Sequence, residues 1–353
     1  KSFFTRSDQA PEKRVELHLH TKMSAMDATV DAAKAINLAA AWGHPAIAIT
    51  DHGVVHSFPE VASVAKMAGI KAIYGLEGYL VDDGVPIVVG ASDERIADVE
   101  FVVFDIETTG FNPLKEDLLE IGAVKYQNGV KKEEFSSLIR PAKDISEEIQ
   151  KLTGITPEMV ADAPLPEDVL RRFKEFSAGC VLVAHNARFD LRFITAKHQQ
   201  LFDEKVAPVY LDTLGLARSV WPNFKSYRLN NVAKELGIKL QNHHRATDDA
   251  QCAAAILGKA LEKISDRNFE SLSDLNTLVK ESGVEHLQTN HLIVLVKNQI
   301  GMKHLYRLVS DSHLKYFHRH PRIPRSLLME LREGLIIGSA CEAGELYQAI
   351  LDG

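Results

Sequence analysis

The amino-acid sequence predicts an α/β protein in which one domain interrupts another, and three patterns carry this prediction. From residue 14 onward, short β-rich apolar segments such as VELHLH and AIAITDHG alternate with Ala-rich helical segments such as AAKAINLAAAWG. A second pattern of strands and helices begins at FVVFDIETTG, after the polar stretch ASDERIADVE. Histidines are concentrated before residue 57 and after residue 284, with a further group between residues 185 and 244. The two outer groups are therefore expected to belong to one split domain.

Composition excludes disordered and collagen-like classes and favours a soluble protein of two domains. The chain has 353 residues, of which 45% are hydrophobic and 25% charged, as in ordinary globular domains. No apolar run reaches the roughly 20 residues that cross a bilayer, and the N-terminus lacks the apolar core of a signal peptide, so we expect a cytoplasmic location and no membrane partner. The three cysteines are widely separated and are expected to be reduced thiols. The net charge of −7 does not exclude a local groove for DNA.

The outer pattern places possible metal ligands at the ends of predicted strands. His18 and His20 share one face of the strand VELHLH, because residues i and i+2 point the same way, and Asp27 follows. His52 ends the strand AIAITDH, and Glu77 ends the next strand along the chain. A lone histidine in a strand is more often packed than ligating, but several such residues in successive βα units favour a metal site at the carboxyl ends of the strands.

The inner pattern starts with an apolar strand that ends in two acids. Asp105 and Glu107 of FVVFDIETTG share one face of this strand. Two such carboxylates repel each other and lose hydration unless a cation binds them; a pair of exposed acids at a strand tip is the alternative. A strand pair with a turn at Asn128-Gly129 follows, then helices, the strand VLVAHN and a closing Ala-rich helix.

Two later segments add further acids and a histidine. Asp190 follows the strand VLVAHN on the first turns of a helix. In the segment HHRATDDAQCAAAIL, His244 precedes Asp249 by five residues, on the approach to another helix and on its first turn. Each acid alone fits helix capping equally well.

The ordered motifs DxE, HNxxxFD and HxAxxDA resemble the signature of the DEDDh 3′-5′ exonucleases, the family of the proofreading epsilon subunit of bacterial DNA polymerase III. The resemblance covers residues 99 to about 262 and implies a ribonuclease H-like α/β domain that releases nucleoside monophosphates from single-stranded or frayed 3′ ends of DNA. It also implies a site for two Mg²⁺ or Mn²⁺ ions, with His244 rather than His243 as the general base and Asp249 rather than Asp248 as a ligand. The implied metal ligands are Asp105, Glu107, Asp190 and Asp249. The candidates for substrate binding are Thr108, Thr109, Gly110 and Asn186.

The ligands of the outer pattern resemble the first motifs of the PHP (polymerase and histidinol phosphatase) family. The resemblance implies a distorted (β/α)7 barrel that binds up to three divalent ions, which could be Zn²⁺, Mn²⁺ or Fe²⁺. His291 matches a later histidine of the family, and Cys341 falls where related domains can have a ligand, although a small buried cysteine is the commoner case. The last motif of the family is not visible in this sequence, so we expect an incomplete, discontinuous barrel whose metal occupancy is open.

A PHP domain interrupted by a DEDDh exonuclease resembles the PolC-type family of bacterial replicative DNA polymerases. The expected PHP segments are residues 1–98 and 266–353, and the expected exonuclease is residues 99–265. The resemblance implies a proofreading module without a polymerase site. Its implied partners are DNA, the remainder of a polymerase chain and, through parts outside this chain, the sliding clamp and other replisome proteins. Two alternatives stay open: a phosphoesterase or pyrophosphatase at the PHP site, and a non-catalytic interaction platform.

Overall fold

A computed structural model describes residues 8–24, 26–90, 93–239, 245–281, 283–285 and 287–352. The chain forms two compact units. The first unit combines the residues up to Asp83 with Val284–Leu351, and the second unit is Gly84–Gly283. The first unit is therefore built from two chain segments that the second unit separates in sequence.

The described elements are mostly short and alternate along the chain. The helices are α1 (Ala32–Ala41), α2 (Phe58–Ala68), α3 (Glu147–Thr153), α4 (Pro157–Val160), α5 (Pro166–Phe176), α6 (Ala187–Phe202), α7 (Thr213–Val220), α8 (Leu229–Glu235), α9 (Ala246–Lys263), α10 (Thr277–Glu281), α11 (Gln299–Leu314), α12 (Arg325–Glu330) and α13 (Glu345–Asp352). The strands are β1 (Ala46–Ile49), β2 (Lys71–Val81), β3 (Val88–Val89), β4 (Phe101–Thr108), β5 (Leu118–Gln127), β6 (Val130–Leu138), β7 (Val181–Ala184), β8 (Tyr210–Asp212), β9 (Thr289–Val296), β10 (Phe317–His318), β11 (His320–Pro324) and β12 (Leu335–Ser339). Short 3₁₀ helices at Ser265–Arg267 and Leu272–Asn276 precede α10. Across the described part of the chain, we find no helix with the length and apolar character needed to span a membrane.

The sheet of the first unit mixes parallel and antiparallel pairs. Its strands lie in the order β10-β11-β2-β9-β12, and β1 also pairs with β2. β2 is parallel to β1 and β11 but antiparallel to β9, which in turn is antiparallel to β12. Alternation of strands and helices predicts parallel pairing only for strands joined by a single crossover, and the whole second unit lies between β2 and β9 in sequence. The sequence therefore predicts the parallel β1-β2 pair but not the antiparallel β2-β9 pair.

Helices of the first unit pack on this sheet through apolar faces. The side chain of Asp31 accepts a hydrogen bond from the Lys34 amide at the start of α1, as helix N-caps do, and α2 ends at Gly69 in the left-handed conformation (φ 70°). Ile36 of α1 and Val61 of α2 share a buried cluster with β1. Burial of these faces holds β1 and β2 in place. The predicted strand VELHLH contributes only a single bridge, from Glu16 to Ile47, and Glu77 lies inside β2 rather than at its end.

The second unit contains a mixed sheet with β4 at its centre. The strand order is β3-β8-β7-β4-β5-β6, with β4 parallel to β7 and antiparallel to β5. β5 and β6 form the predicted hairpin, in which Gln127 lies opposite Val130. Its two turn residues, Asn128 and Gly129, have φ values of 50° and 80°, which is the backbone that a two-residue hairpin of the mirror-image type requires. The turn predicted at these residues is confirmed.

Side chains of β4 alternate between two hydrophobic cores, one on each face of the sheet. Val103 packs in one core with Leu257 of α9. Phe104 packs in the other core with Phe173 of α5 and Phe193 of α6. The odd-numbered residues of β4 therefore face α9, and the even-numbered residues face α5 and α6.

The second unit extends beyond the segment that carries the acidic motifs. β3 pairs antiparallel with β8, and the side chain of Asn276 donates to the carbonyl and accepts from the amide of Val88. Leu272, Leu275 and Leu278 lie in the same core as α9. The boundaries expected at residues 98/99 and 265/266 fall inside this unit, because the flanking segments pack on its sheet and core.

Gly301 and Gly215 offer a matched pair of substitutions, since each is the third residue of its helix, α11 and α7. A Cβ at Gly301 would lie 1.8 Å from the carbonyl oxygen of Gly334, whereas the nearest atom at Gly215 is Ile87 Cγ1 at 3.6 Å. We expect Gly301→Ala to lower the free energy of unfolding by about 1–3 kcal/mol through overpacking. Gly215→Ala should raise it by about 0.5–1 kcal/mol. Denaturant unfolding of both variants tests this, and equal stability of the two would contradict it.

Candidate functional site

Asp105 and Glu107 lie at the end of β4 on the face that α9 covers. They continue the odd-numbered series of this strand, and Asp249 lies on the first turn of α9 at 5% exposure. Carboxylate oxygens of Asp105, Glu107 and Asp249 lie within 4.8 Å of one another. The structure therefore brings three of the predicted ligands together from two elements that are far apart in sequence.

A glycine in the neighbouring strand allows α9 to approach this closely. Gly122 of β5 pairs with Asp105. A Cβ at Gly122 would lie 2.1 Å from the amide nitrogen of Thr247 and 2.3 Å from the carbonyl carbon of Ala246. No larger residue fits here while the first turn of α9 keeps its place against the sheet.

Asp190 lies at the start of α6, buried at 3% exposure. Asn186, the N-cap residue of α6, has a left-handed backbone (φ 70°). The Oδ1 atom of Asp212 accepts hydrogen bonds from the amides of Asn186 (2.9 Å), Ala187 (3.3 Å) and Leu214 (3.0 Å). One carboxylate therefore fixes the starts of both α6 and α7, and with α6 the position of Asp190.

Burial and mutual repulsion raise the pKa values of these acids. Burial, with the charges of Asp190, Glu107 and Asp249, raises the pKa of Asp105 well above its usual value. Burial, Asp249 and Glu120 raise the pKa of Glu107 to about 8.

Burial also raises the pKa of Asp190, with a contribution from Asp212, against the opposing hydrogen bonds of its own amide and that of Ile106. Carboxylates held together against such repulsion are suited to a divalent cation. The charge of the cation favours the ionised carboxylates and so lowers their pKa values. The oxygen donor set fits a hard ion such as Mg²⁺ or Mn²⁺.

The end of β4, at Thr108, and the residues that follow it form a tight loop beside the acids. The hydroxyl of Thr108 donates to the carbonyl of Gly110 (2.6 Å), and the hydroxyl of Thr109 donates to Glu116 (2.7 Å). The next side chain, Phe111, is 79% exposed and lies edge-on to Phe189, with ring centroids 6.3 Å apart. The hydroxyls of the predicted substrate-binding threonines thus hold the loop, and Phe111 presents an open aromatic face beside it.

His244, the predicted general base, lies outside the described residues, as does His243. The described chain resumes at Arg245, the N-cap residue of α9. Arg245 donates to the carboxylate of Glu120, which is fully buried on β5.

In the first unit, the carboxylate of Glu77 lies at the centre of a histidine cluster. Its Oε2 atom is 2.6 Å from His18 Nε2, 2.8 Å from His20 Nε2 and 3.8 Å from His52 Nε2, and its Oε1 atom is 2.7 Å from His291 Nδ1. Although burial acts to raise it, hydrogen bonds from His20 and His18 hold the pKa of Glu77 at about 2. Glu77 is therefore ionised and faces several imidazole nitrogens.

Asp27 and Cys341 complete this cluster. Asp27 Oδ2 lies 3.0 Å from His52 Nε2, and Cys341 Sγ lies 3.4 Å from His291 Nδ1 and 3.9 Å from Glu77 Oε1. All seven predicted ligands of the outer pattern therefore meet in one place. Nitrogen, oxygen and sulfur donors together fit a borderline ion such as Zn²⁺ or Fe²⁺.

Asp51, next to His52 in sequence, holds the loops of this cluster rather than joining it. Its buried carboxylate accepts from the amide (2.6 Å) and hydroxyl (3.0 Å) of Thr21 and from the hydroxyls of Ser24 (2.9 Å) and Ser57 (2.7 Å). The Ser24 hydroxyl in turn accepts from the His52 amide. Such outer contacts orient ligands.

Sequence reasoning did not single out Glu120, Gly122, Arg245 or Asp212. Glu120 left one usable signal, an acid inside the apolar run LLEIGAV, since a buried charge calls for a partner. The contacts of the others depend on which strands pair and where the helices start. No local pattern carries that information.

Comparisons with known proteins agree with the motif order. Residues 102–257 match a family model described as "Exonuclease". Over 348 residues the chain is 49% identical to the DNA polymerase III PolC-type of Caldanaerobacter subterraneus subsp. tengcongensis, a match that covers 98% of this chain and 25% of the relative. The chain is a homologue of PolC-type DNA polymerase III. The PolC-type protein of Bacillus subtilis (strain 168) is 44% identical over 351 residues, which cover 98% of this chain and 24% of that protein. The chain thus spans about a quarter of the length of these PolC-type relatives.

Solved structures with some likeness to the chain include two exonucleases. A complex of exonuclease X with 5′ overhanging duplex DNA has a TM-score of 0.41 and 27% identity, and the match covers 51% of this chain and 99% of that one. E. coli exonuclease I with a dA16 oligonucleotide has a TM-score of 0.45 and 15% identity, covering 72% and 68%. Both likenesses are weak by TM-score.

The raised pKa of Glu107 predicts how stability depends on pH in the metal-free protein. Because the folded-state pKa of about 8 lies above the ordinary value of 4.5, ionisation opposes folding, and stability falls as the pH rises from about 4.5 to about 8. We expect Glu107→Gln to raise the melting temperature at pH 9 and to change it little at pH 4.

Thermal unfolding in the presence of a chelator measures this effect. Glu133→Gln is the matched control, because Glu133 is 62% exposed in its ion pair with Lys125. Addition of Mg²⁺ at pH 9 should stabilise the wild type more than Glu107→Gln. Equal melting temperatures of wild type and Glu107→Gln across the pH range would argue against a repulsive carboxylate cluster.

Proposed function

We propose that the second unit is a metal-dependent 3′-5′ exonuclease that removes the terminal nucleotide from single-stranded or frayed 3′ ends of DNA. One observation carries the proposal: Asp105, Glu107 and Asp249 converge within 4.8 Å, inside the segment that matches the exonuclease model. The names of the PolC-type relatives support DNA as the substrate.

The proposed chemistry is hydrolysis of the 3′-terminal phosphodiester with release of a nucleoside monophosphate. Asp105, Glu107, Asp190 and Asp249 would hold two Mg²⁺ or Mn²⁺ ions, which supply Lewis-acid stabilisation of the charge on the attacking and leaving oxygens. His244 takes the proton from the attacking water, a task suited to a group that titrates near neutral pH. The buried carboxylates keep their positions because β4, α6 and α9 are fixed by core packing.

The 3′ end would bind at the loop after β4. Backbone groups of Thr108, Thr109 and Gly110, with the exposed side chain of Asn186, are the proposed contacts to the terminal nucleotide. The exposed ring of Phe111 offers a stacking surface that every base can use. Contacts of this kind discriminate poorly between bases and favour unpaired ends, as proofreading requires.

We further propose that the first unit is part of a PHP barrel and that the chain acts as a cytoplasmic proofreading module of a replicative polymerase. Convergence of His18, His20, Asp27, His52, Glu77, His291 and Cys341 supports a site for up to three divalent ions. The length of the PolC-type relatives supports the remainder of a polymerase chain as a partner. The sliding clamp and other replisome proteins are proposed as partners of that remainder.

The same convergence supports a second candidate function, a phosphoesterase or pyrophosphatase at the histidine cluster. Imidazole and carboxylate ligands can hold an ion that activates water. A structural role for the ions, in a non-catalytic platform, is the third candidate. Experiments on the two sites separate these candidates, because each site has its own removable ligands.

Release of labelled mononucleotide from a 3′-labelled single strand in Mg²⁺ or Mn²⁺ tests the exonuclease. The wild type should release it, a chelator should stop release, and Asp105→Asn should lower the rate by at least about 100-fold, because catalysis here depends on charge stabilisation. Glu133→Gln should keep the wild-type rate. A wild-type rate in Asp105→Asn would refute the proposal.

Metal content and residual hydrolysis test the histidine cluster. His18→Ala should lower the amount of Zn²⁺ or Mn²⁺ that remains bound after dialysis. Asp105→Asn should leave unchanged the metal that is bound most tightly, which we expect at the histidine cluster. In the double variant Asp105→Asn/Glu107→Gln, phosphoester hydrolysis that His18→Ala abolishes would support the second candidate. Absence of any such hydrolysis would leave the ions with a structural role, and unchanged metal content in His18→Ala would refute a metal site there.

A further inference from the structure

Glu120 is a fully buried carboxylate beside the proposed exonuclease site, and the proposed chemistry gives it no task. It lies on β5 directly opposite Glu107 in the β4-β5 ladder and is 0% exposed. Its negative charge adds to the repulsion on Glu107 and Asp105. A buried carboxylate that adds to the repulsion among its neighbours lowers stability, so we expect it to have a compensating role.

The oxygens of Glu120 are already occupied by N–H donors from one short segment. Arg245 donates from Nη2 to Oε1 (2.9 Å) and from Nε to Oε2 (3.2 Å), and the amide of Ala246 donates to Oε2 (3.2 Å). The two-pronged arginine contact fixes direction as well as distance. Both oxygens of Glu120 therefore bind the start of α9. This orientation does not place Glu120 as a further metal ligand.

This contact takes the place of an ordinary helix cap. Arg245 is the N-cap residue of α9 and makes no side-chain capping bond, so the Ala246 amide would lack an acceptor without Glu120. The negative carboxylate also interacts favourably with the positive end of the helix. Two residues farther along β5, Gly122 touches the same turn of the helix. β5 thus contacts the first turn of α9 at two successive positions on one face.

We propose that Glu120 and Arg245 form a clamp that sets the register of the first turn of α9 on β5, and so positions Asp249 against Asp105 and Glu107. Both are positioning residues that act through Asp249. The inference rests on the proposed exonuclease function and names the contact that assembles its site. Loss of the clamp lets the first turn of α9 move while the rest of the helix stays anchored by its apolar face.

The test compares Glu120→Gln and Arg245→Lys with the control Glu133→Gln. Glutamine presents an NH₂ group to donors and cannot accept from all of them, and lysine lacks the planar fork of arginine. Because the Arg245 side chain is 42% exposed, Arg245→Lys should fold even if Glu120→Gln does not.

The first readout needs no activity. Hydrogen exchange of metal-free protein, followed by mass spectrometry on peptides that span residues 245–251, should be faster in both clamp variants than in wild type and control. Titration of Mg²⁺, followed by calorimetry, should show binding about 10-fold or more weaker at the exonuclease site. Exchange in peptides from the later turns of α9 should not change.

The second readout is the hydrolysis of the 3′-labelled strand. The clamp variants should lower kcat by about 10- to 100-fold with little change in KM, because the loop that binds the 3′ end is elsewhere, and saturating Mn²⁺ should restore part of the rate. Wild-type exchange, Mg²⁺ affinity and kcat in a folded Arg245→Lys would overturn the clamp. If wild type and Asp105→Asn were equally inactive, the proposed function would fail, and exchange and Mg²⁺ binding would still decide the clamp.

Discussion

Repulsion among buried carboxylates is the constraint on which the second unit depends. Asp105, Glu107 and Asp249 lie within 4.8 Å of one another, and Asp190 adds its charge to theirs. Such a group opposes folding until a cation joins it. The sheet and both its cores must therefore hold these acids in place. Their repulsion lowers the stability of the metal-free unit at the position where a divalent ion binds most favourably.

Different parts of the structure hold the acids of the cluster in place. Asp105 and Glu107 are fixed by a strand at the centre of the sheet. Amides that converge on Asp212 fix the helix of Asp190. The histidine cluster follows the opposite electrostatic logic, because imidazoles around Glu77 lower its pKa to about 2 although burial acts to raise it. The two clusters are accordingly suited to different ions, a hard ion for the carboxylates and a borderline ion for the histidines.

The local periodicity of strands and helices allowed part of both clusters to be predicted from the sequence. Spacing of two along a strand places Asp105 with Glu107, and spacing from a helix start places Asp249. His18 and His20 do meet, although the strand predicted for them is reduced to one bridge at Glu16. The sequence does not specify which strand lies opposite, so the pairing of Glu107 with Glu120 and the antiparallel entry of β9 beside β2 could not be foreseen. Gly122 shows the same limit, since only the assembled fold brings Thr247 against it.

We propose two cation sites of different chemistry, one formed within each unit. Anomalous scattering from crystals soaked in Mn²⁺ locates both. We expect one group of peaks among Asp105, Glu107 and Asp249, which disappears in Asp105→Asn, and a separate group beside Glu77 and His291, which that variant keeps. Well-ordered crystals with no peak among the three carboxylates would contradict this proposal.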